Sequence, residues 1–164
     1  MISITKATVA DLKIITEIAH KTWPLTYGEI LSQVQLEYML NAFYSDEALR
    51  ANMENGHEFI LAKEDDICLG FASFEHHYKN ENTTRIHKIY ILPETQGKGI
   101  GKLLIDSVAQ FAKENNATTL LLNVNRFNKA LTFYQKQGFE IIEEIDIELE
   151  YGYLMEDYVM EKRI

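Results

Sequence analysis

The chain has 164 residues, 46% hydrophobic and 11% aromatic, with 16 Lys+Arg against 25 Asp+Glu for a formal charge of −9. That length suits one domain, residues 1–164, since domains run about 100–200 residues. The apolar share excludes a disordered chain, no apolar run approaches the ~18 residues of a membrane span, and the acidic balance argues against nucleic acid and for a cationic partner.

Residues 1–6 alternate as a strand does and lack the cationic start and long apolar stretch of a secretory signal, which points to a cytoplasmic protein. Thr8-Val9-Ala10-Asp11 has the form of a capping box. It opens a helix with Leu12, Ile15 and Ala19 on one face, which Pro24 is expected to stop. Ser32-Gln33-Val34-Gln35 repeats the pattern ahead of the stripe Leu36, Met39, Leu40 and Phe43, and Ser45 caps a short helix ending before Gly56. The period then changes. Residues 59–62 and 68–74 read as strands joined by the acidic turn Glu64-Asp65-Asp66, an antiparallel hairpin. Cys68, the single cysteine, reads as a buried small hydrophobe. Residues 85–92 form a strand running into Pro93. A helix over 99–115 follows, with Leu104, Val108, Phe111 and Ala112 inward, then an apolar strand over 120–124. Strand, helix, strand implies a parallel pair. A short helix over 128–137 is closed by Gly138, and strands over 140–149 and 154–162 flank a turn at Gly152. The order β-α-α-β-β-β-α-β-α-β-β makes a mixed α/β sheet.

The chemistry concentrates where strand meets helix, in Leu92-Pro93-Glu94-Thr95-Gln96-Gly97-Lys98-Gly99-Ile100-Gly101-Lys102. Glycines let the main chain approach a ligand closely. A helix N-terminus leaves about four amides unbonded under a partial positive charge, so this turn suits an anion such as pyrophosphate. Lys98 and Lys102 add to the field. A Walker loop ending at Gly101-Lys102 would need glycine in place of Gln96 and Ser or Thr in place of Leu103, and a dinucleotide fingerprint from Gly97 would need glycine in place of Lys102. Both are excluded by spacing.

Gln96-Gly97-Lys98-Gly99-Ile100-Gly101 resembles the Gln/Arg-x-x-Gly-x-Gly/Ala motif of the GNAT superfamily of acyl-CoA-dependent N-acetyltransferases. Downstream, Asn128-Lys129-Ala130-Leu131-Thr132-Phe133-Tyr134-Gln135-Lys136-Gln137-Gly138-Phe139 is similar to that family's Asn…Ala…Phe-Tyr…Gly-Phe segment. The resemblance implies the GNAT fold, an α/β (α+β) architecture: a mixed, mostly antiparallel central sheet with a parallel β-α-β cofactor-binding core and flanking helices. It also implies direct, sequential transfer of an acetyl group from acetyl-CoA, as co-substrate, to a primary amine, taken here as that of a small molecule. By the same resemblance, the amides of Gln96, Gly97, Lys98, Gly99, Ile100 and Gly101 hold the CoA pyrophosphate and the main chain of Tyr90 and Ile91 pairs with the pantetheine arm. The parallel strands splay around the thioester, an N–H near Ile91 serves the oxyanion, and Lys136 reaches CoA phosphates. Asn128 contacts the cofactor or caps its helix, or both, and Tyr134 protonates the departing sulfur.

An amine with a pKa near 10 is only about a thousandth neutral at pH 7, so a base is required. Where family members often carry a glutamate, this chain has His87, whose ordinary pKa of about 6.5 suits the task; Glu75, His76 and His77 are rivals. The histidine spacing matches no zinc motif, and no metal is expected. Trp23 and Tyr27, with Glu75, are candidates for the acceptor pocket, and core packing is the competing explanation for the two aromatics. Glu143, Glu144, Asp146, Glu148 and Glu150, with Glu156 and Asp157 nearby, form either a solvated strand face or an attractor for a polycation such as a polyamine. Three alternatives stay open: a non-catalytic acyl-CoA-binding or sensing module, a protein or peptide N-acetyltransferase, and a homodimer through the last strands.

Overall fold

The computed structural model describes residues 1–164. Seven strands form one sheet: β1 (Ile2–Lys6), β2 (Glu58–Glu64), β3 (Ile67–Glu75), β4 (Thr83–Ile91), β5 (Thr119–Asn125), β6 (Glu140–Glu148) and β7 (Leu154–Arg163). Five helices flank it: α1 (Leu12–Tyr27), α2 (Gln33–Tyr44), α3 (Asp46–Glu54), α4 (Ile100–Glu114) and α5 (Ala130–Lys136). The strand order is β1-β2-β3-β4-β5-β7-β6, antiparallel throughout except between β4 and β5. The expected parallel β-α-β unit is β4-α4-β5. The Ser45-capped helix is an element of its own, so three helices, not two, separate β1 from β2.

Alternation along the strands feeds two cores. On one face, Leu104, Ile105 and Val108 of α4 and Tyr134 of α5 pack on Ile60, Phe74, Ile86, Leu120 and Leu122. On the other, Leu12, Ile15 and Trp23 of α1, Leu36 and Leu40 of α2 and Leu49 of α3 cover Phe59, Leu61 and Phe71. The hairpin turn places Asp65 and Asp66 at φ +51° and +65°, the twist that two-residue hairpins favour. Cys68 is buried, its thiol donating to the Gly70 carbonyl, and burial raises its pKa.

The caps fall where the sequence places them. Thr8 and Asp11 close a reciprocal capping box, now at the head of a single 3-10 turn that leads into α1, while Ser32 accepts from the Gln35 amide and Ser45 from the Ala48 amide. Because Ser45 both ends α2 and begins α3, Ser45→Ala is expected to cost about 1 kcal/mol, lowering Tm by about 2–4 °C. Thermal unfolding followed by circular dichroism checks this, and an unchanged Tm contradicts it.

Pro24 does not stop α1, which continues to Tyr27, with the Gly28 amide donating to the Pro24 carbonyl. Burial of Trp23 and packing of Tyr27 against it hold the last turn in place despite the missing amide of the proline. The helix expected over 128–137 is shorter, beginning at Ala130, and Asn128 accepts from the Ala130 amide at 2.9 Å.

Two irregularities in β4 shape the site. Its pairing with β5 covers only residues 83–86 against 119–122, so the strands part beyond Ile86 and Leu122 although both continue. This is the splay that the family resemblance implies. Opposite β3, Ser73 pairs with Lys88 and Phe74 with Ile86, which leaves His87 as the extra residue of a bulge at the foot of the split.

Candidate active site

The glycine turn lies between the open end of β4 and the start of α4. Gly97 and Gly99 have φ +88° and +76°, and a Cβ at either would meet nothing within 4 Å, so their side of the turn is bare. The amides of residues 97–102 donate to no main-chain carbonyl, whereas the Gln96 amide is taken by the Pro93 carbonyl at 3.3 Å. The free run thus starts one residue later than the sequence motif implies. Six consecutive unengaged amides at a helix N-terminus fit a pyrophosphate. Lys98 and Lys136 are exposed and carry no salt bridge, but the Lys102 ammonium is tied to Asp106 at 2.6 Å. Gly101 differs from the other two. A Cβ there would come within 2.9 Å of the Phe133 ring and 3.1 Å of the Ile91 side chain, so this glycine lets α4 pack close.

Four tyrosine and acid groups gather around the open end of the split, Tyr27 and Tyr90 from the side that α1 covers and Tyr134 from the side of α4 and α5. The Tyr27 and Tyr90 hydroxyls are 2.9 Å apart, and the Trp23 ring lies 4.6 Å from Tyr27 and 5.9 Å from Tyr90. Burial raises the pKa of Tyr27, and that of Tyr90 well above its ordinary value. Tyr134 is 8% exposed, and burial, then the charge of Tyr27, raises its pKa above the ordinary phenol value. Asp157 of β7, which acts on Tyr27, has its pKa raised by burial against the lowering influence of Asn123, Arg85 and Arg126. Trp23 itself is 4% exposed within an aromatic cluster that includes Phe43 and Tyr44, so its first role is packing.

A second polar group sits at the bulge. One oxygen of Glu75 is 2.9 Å from His87 Nε2 and 3.5 Å from His57 Nε2, and the two imidazoles stack at 4.1 Å with 7° between planes. Burial and the neighbouring His57, Arg85 and Lys88 lower the His87 pKa to about 2, which keeps the ring neutral with Nε2–H donating to Glu75 and Nδ1 left as the acceptor. Burial, then Arg85, lowers Lys88 to about 8, and its ammonium donates to Asn52. His57, Glu75 and His87 have the donor types of a metal site. Parallel stacked rings, however, hold their nitrogen lone pairs in two separate parallel planes that do not meet at one ion, and Arg85 and Lys88 add positive charge, so the group does not suit a cation. Of the rivals, His76 is occupied by Thr84 and Glu58, and His77 is an exposed turn residue at φ +52°.

The sequence brought out Tyr27, Tyr90, Glu75 and His87, together with Tyr134, which reaches the split from the opposite face of the sheet. It missed His57, Arg85 and Tyr78, whose hydroxyl accepts from Arg85 at 2.6 Å, and it read Asp157 only as part of an acidic surface. The available signal was parity: Asp157 shares its side of β7 with Met155 and Val159, whereas Glu156 lies on the other side opposite Asp146.

The sequence model of the acetyltransferase (GNAT) domain family matches residues 29–151. Spermidine N(1)-acetyltransferase of Thermoplasma acidophilum is 28% identical over 168 residues, covering 99% of this chain and 97% of its own length. The crystal structure of PaiA N-acetyltransferase from Thermoplasma acidophilum in complex with coenzyme A aligns with TM-score 0.83 and 27% identity over 100% of this chain and 99% of that one. A more local likeness, 41% over 66 residues, 40% of this chain and 43% of the relative, links it to the ribosomal protein bS18-alanine N-acetyltransferase of Haemophilus influenzae.

Proposed function

The chain belongs to the GNAT acetyltransferase family, and from that premise we propose that it moves the acetyl group of acetyl-CoA directly to the primary amine of a small cationic molecule. The observation that carries this reading is the run of six free amides, residues 97–102, set at the mouth of the split between β4 and β5. Acetyl-CoA supplies the activated thioester. The free amides, with Lys98 and Lys136, take its phosphates. The unpaired edge of β4 around Tyr90 and Ile91 lies along the pantetheine and offers an amide to the thioester oxygen. Asn128 adds a cofactor contact beside its capping bond.

Tyr134 keeps its proton across the working pH range and passes it to the departing sulfur. Trp23 backs Tyr27, which lines the acceptor side together with Glu75 and His87. His87 serves there as a neutral hydrogen-bond acceptor through Nδ1. Its lowered pKa makes it a poor store for the proton of an ammonium ion, so the base role first given to it passes to another group.

A thiol-release assay with acetyl-CoA over spermidine, amino acids and a short peptide tests the reading. Turnover with a small amine, spermidine first because of the full-length relative, is the expected result. Turnover confined to the peptide N-terminus would replace the small acceptor by a protein one, the reading that the bS18-alanine acetyltransferase likeness favours. Binding of acetyl-CoA without turnover on any amine would leave a non-catalytic acyl-CoA-binding module. No helix is long and apolar enough to cross a membrane.

A further inference from the structure

Asp157 is the one charged residue among the buried side chains, at 3% exposure. It forms no salt bridge. The two cations that act on it are not in contact with it: Arg126 pairs with Asp146 at 2.9 Å and Arg85 donates to the neutral Tyr78 hydroxyl at 2.6 Å, which leaves the Asn123 amide as its polar partner. A buried carboxylate without a cation is costly, and a fold keeps one where a cation arrives from outside. The register places Asp157 opposite Asn125 of β5, at the end of that strand where β4 has already diverged. Tyr27 of α1, Asn123 of β5, Arg85 of β4 and Arg126 after β5 act on it, while β6 opposes it with Ile145, which does not titrate. Tyr27 in turn bonds Tyr90 and acts on Tyr134. The group without a cation and the group that protonates sulfur therefore share one neighbour.

We propose that Asp157 is where the acceptor's ammonium docks and the group to which it gives its first proton. The proposal rests on the transferase reading above. The ammonium loses one proton to the carboxylate, the freed lone pair forms the N–C bond, and the C–S bond breaks. The nitrogen's second proton reaches sulfur through Tyr134, and Asp157 returns the first to water, so amine cation and acetyl-CoA become amide, free CoA thiol and one proton. Burial, by raising the carboxyl pKa, makes Asp157 a stronger base than an exposed aspartate while leaving ionisation necessary for docking. The rate should accordingly fall as pH drops through that raised value.

The test compares Asp157→Asn with wild type, using spermidine and trifluoroethylamine, an amine whose fluorines leave it largely neutral at pH 7. For spermidine, kcat/KM at pH 7 should fall about 100-fold in the variant, and the deficit should shrink as pH rises toward about 10. Acetyl-CoA affinity by calorimetry and Tm should hold, because the amide is the same size and removes a buried charge. In wild type, without any mutation, and over the pH range in which trifluoroethylamine stays neutral, the acid limb should be present for spermidine and absent for trifluoroethylamine, which keeps the test decisive if the variant does not fold. An Asp157→Asn profile equal to wild type, or the same acid limb with both amines, would overturn the assignment while leaving the transferase reading intact. Failure of wild type to acetylate any amine would remove that reading and the docking role with it.

Discussion

Replacing Tyr134 with phenylalanine is expected to lower turnover about 100-fold or more while acetyl-CoA still binds. The ring's packing survives the change, since Tyr134 meets Phe133 and Phe139 edge-on at 5.4 and 6.0 Å through contacts that phenylalanine preserves. What is lost is the hydroxyl. With its pKa raised by burial, the phenol does not stand as a free phenolate near neutral pH, so it can give its proton to sulfur only as the proton shed by the attacking nitrogen arrives. A positioned proton donor contributes about 10²–10⁴ in rate, and phenylalanine forfeits that contribution alone. Thiol release reports kcat and calorimetry reports the acetyl-CoA Kd. Turnover within threefold of wild type would remove the acid from Tyr134.

Gly97→Val is expected to weaken acetyl-CoA binding about tenfold or more. Valine at φ +88° is strained by about 1–3 kcal/mol, and its branched side chain occupies the bare side of the turn where the free amides point. The strain is relieved only if the turn changes shape, which scatters the amides. At 1.4 kcal/mol per tenfold, even the lower half of that range gives a measurable loss. Gly101→Val should behave differently, because its Cβ would press on Phe133 and Ile91 in the core, so its main readout is a lower Tm. Equal acetyl-CoA affinity for Gly97→Val and wild type would contradict the phosphate role of the turn.

Local chemistry was the readable part of the sequence. Thr8, Ser32 and Ser45 announce helix starts because a cap needs only neighbouring residues, and Asp65-Asp66 announces its turn for the same reason. The glycine turn and the Tyr134 segment are contiguous motifs. Pro24 misled because its cost is local and its compensation, the Trp23 and Tyr27 packing, comes from α2 and β4. The split at Ile86 and the bulge at His87 depend on strand pairing, which no short window of sequence contains. The His57, Glu75 and His87 group joins three separate elements, and its electrostatics inverted the expectation for His87: burial among cations holds it neutral instead of poised near 6.5. The acidic run near the C-terminus also divides in space, Glu144, Asp146 and Glu156 facing one way around Arg126 while Asp157 turns inward.

The most direct test of the account follows the main-chain amides themselves. In ¹H–¹⁵N correlation spectra of the wild-type chain titrated with CoA, the resonances of residues 97–102 should move strongly, their protons shifting downfield as the pyrophosphate takes six donors that the folded chain leaves free. Saturable CoA binding with those six resonances unmoved would contradict the account.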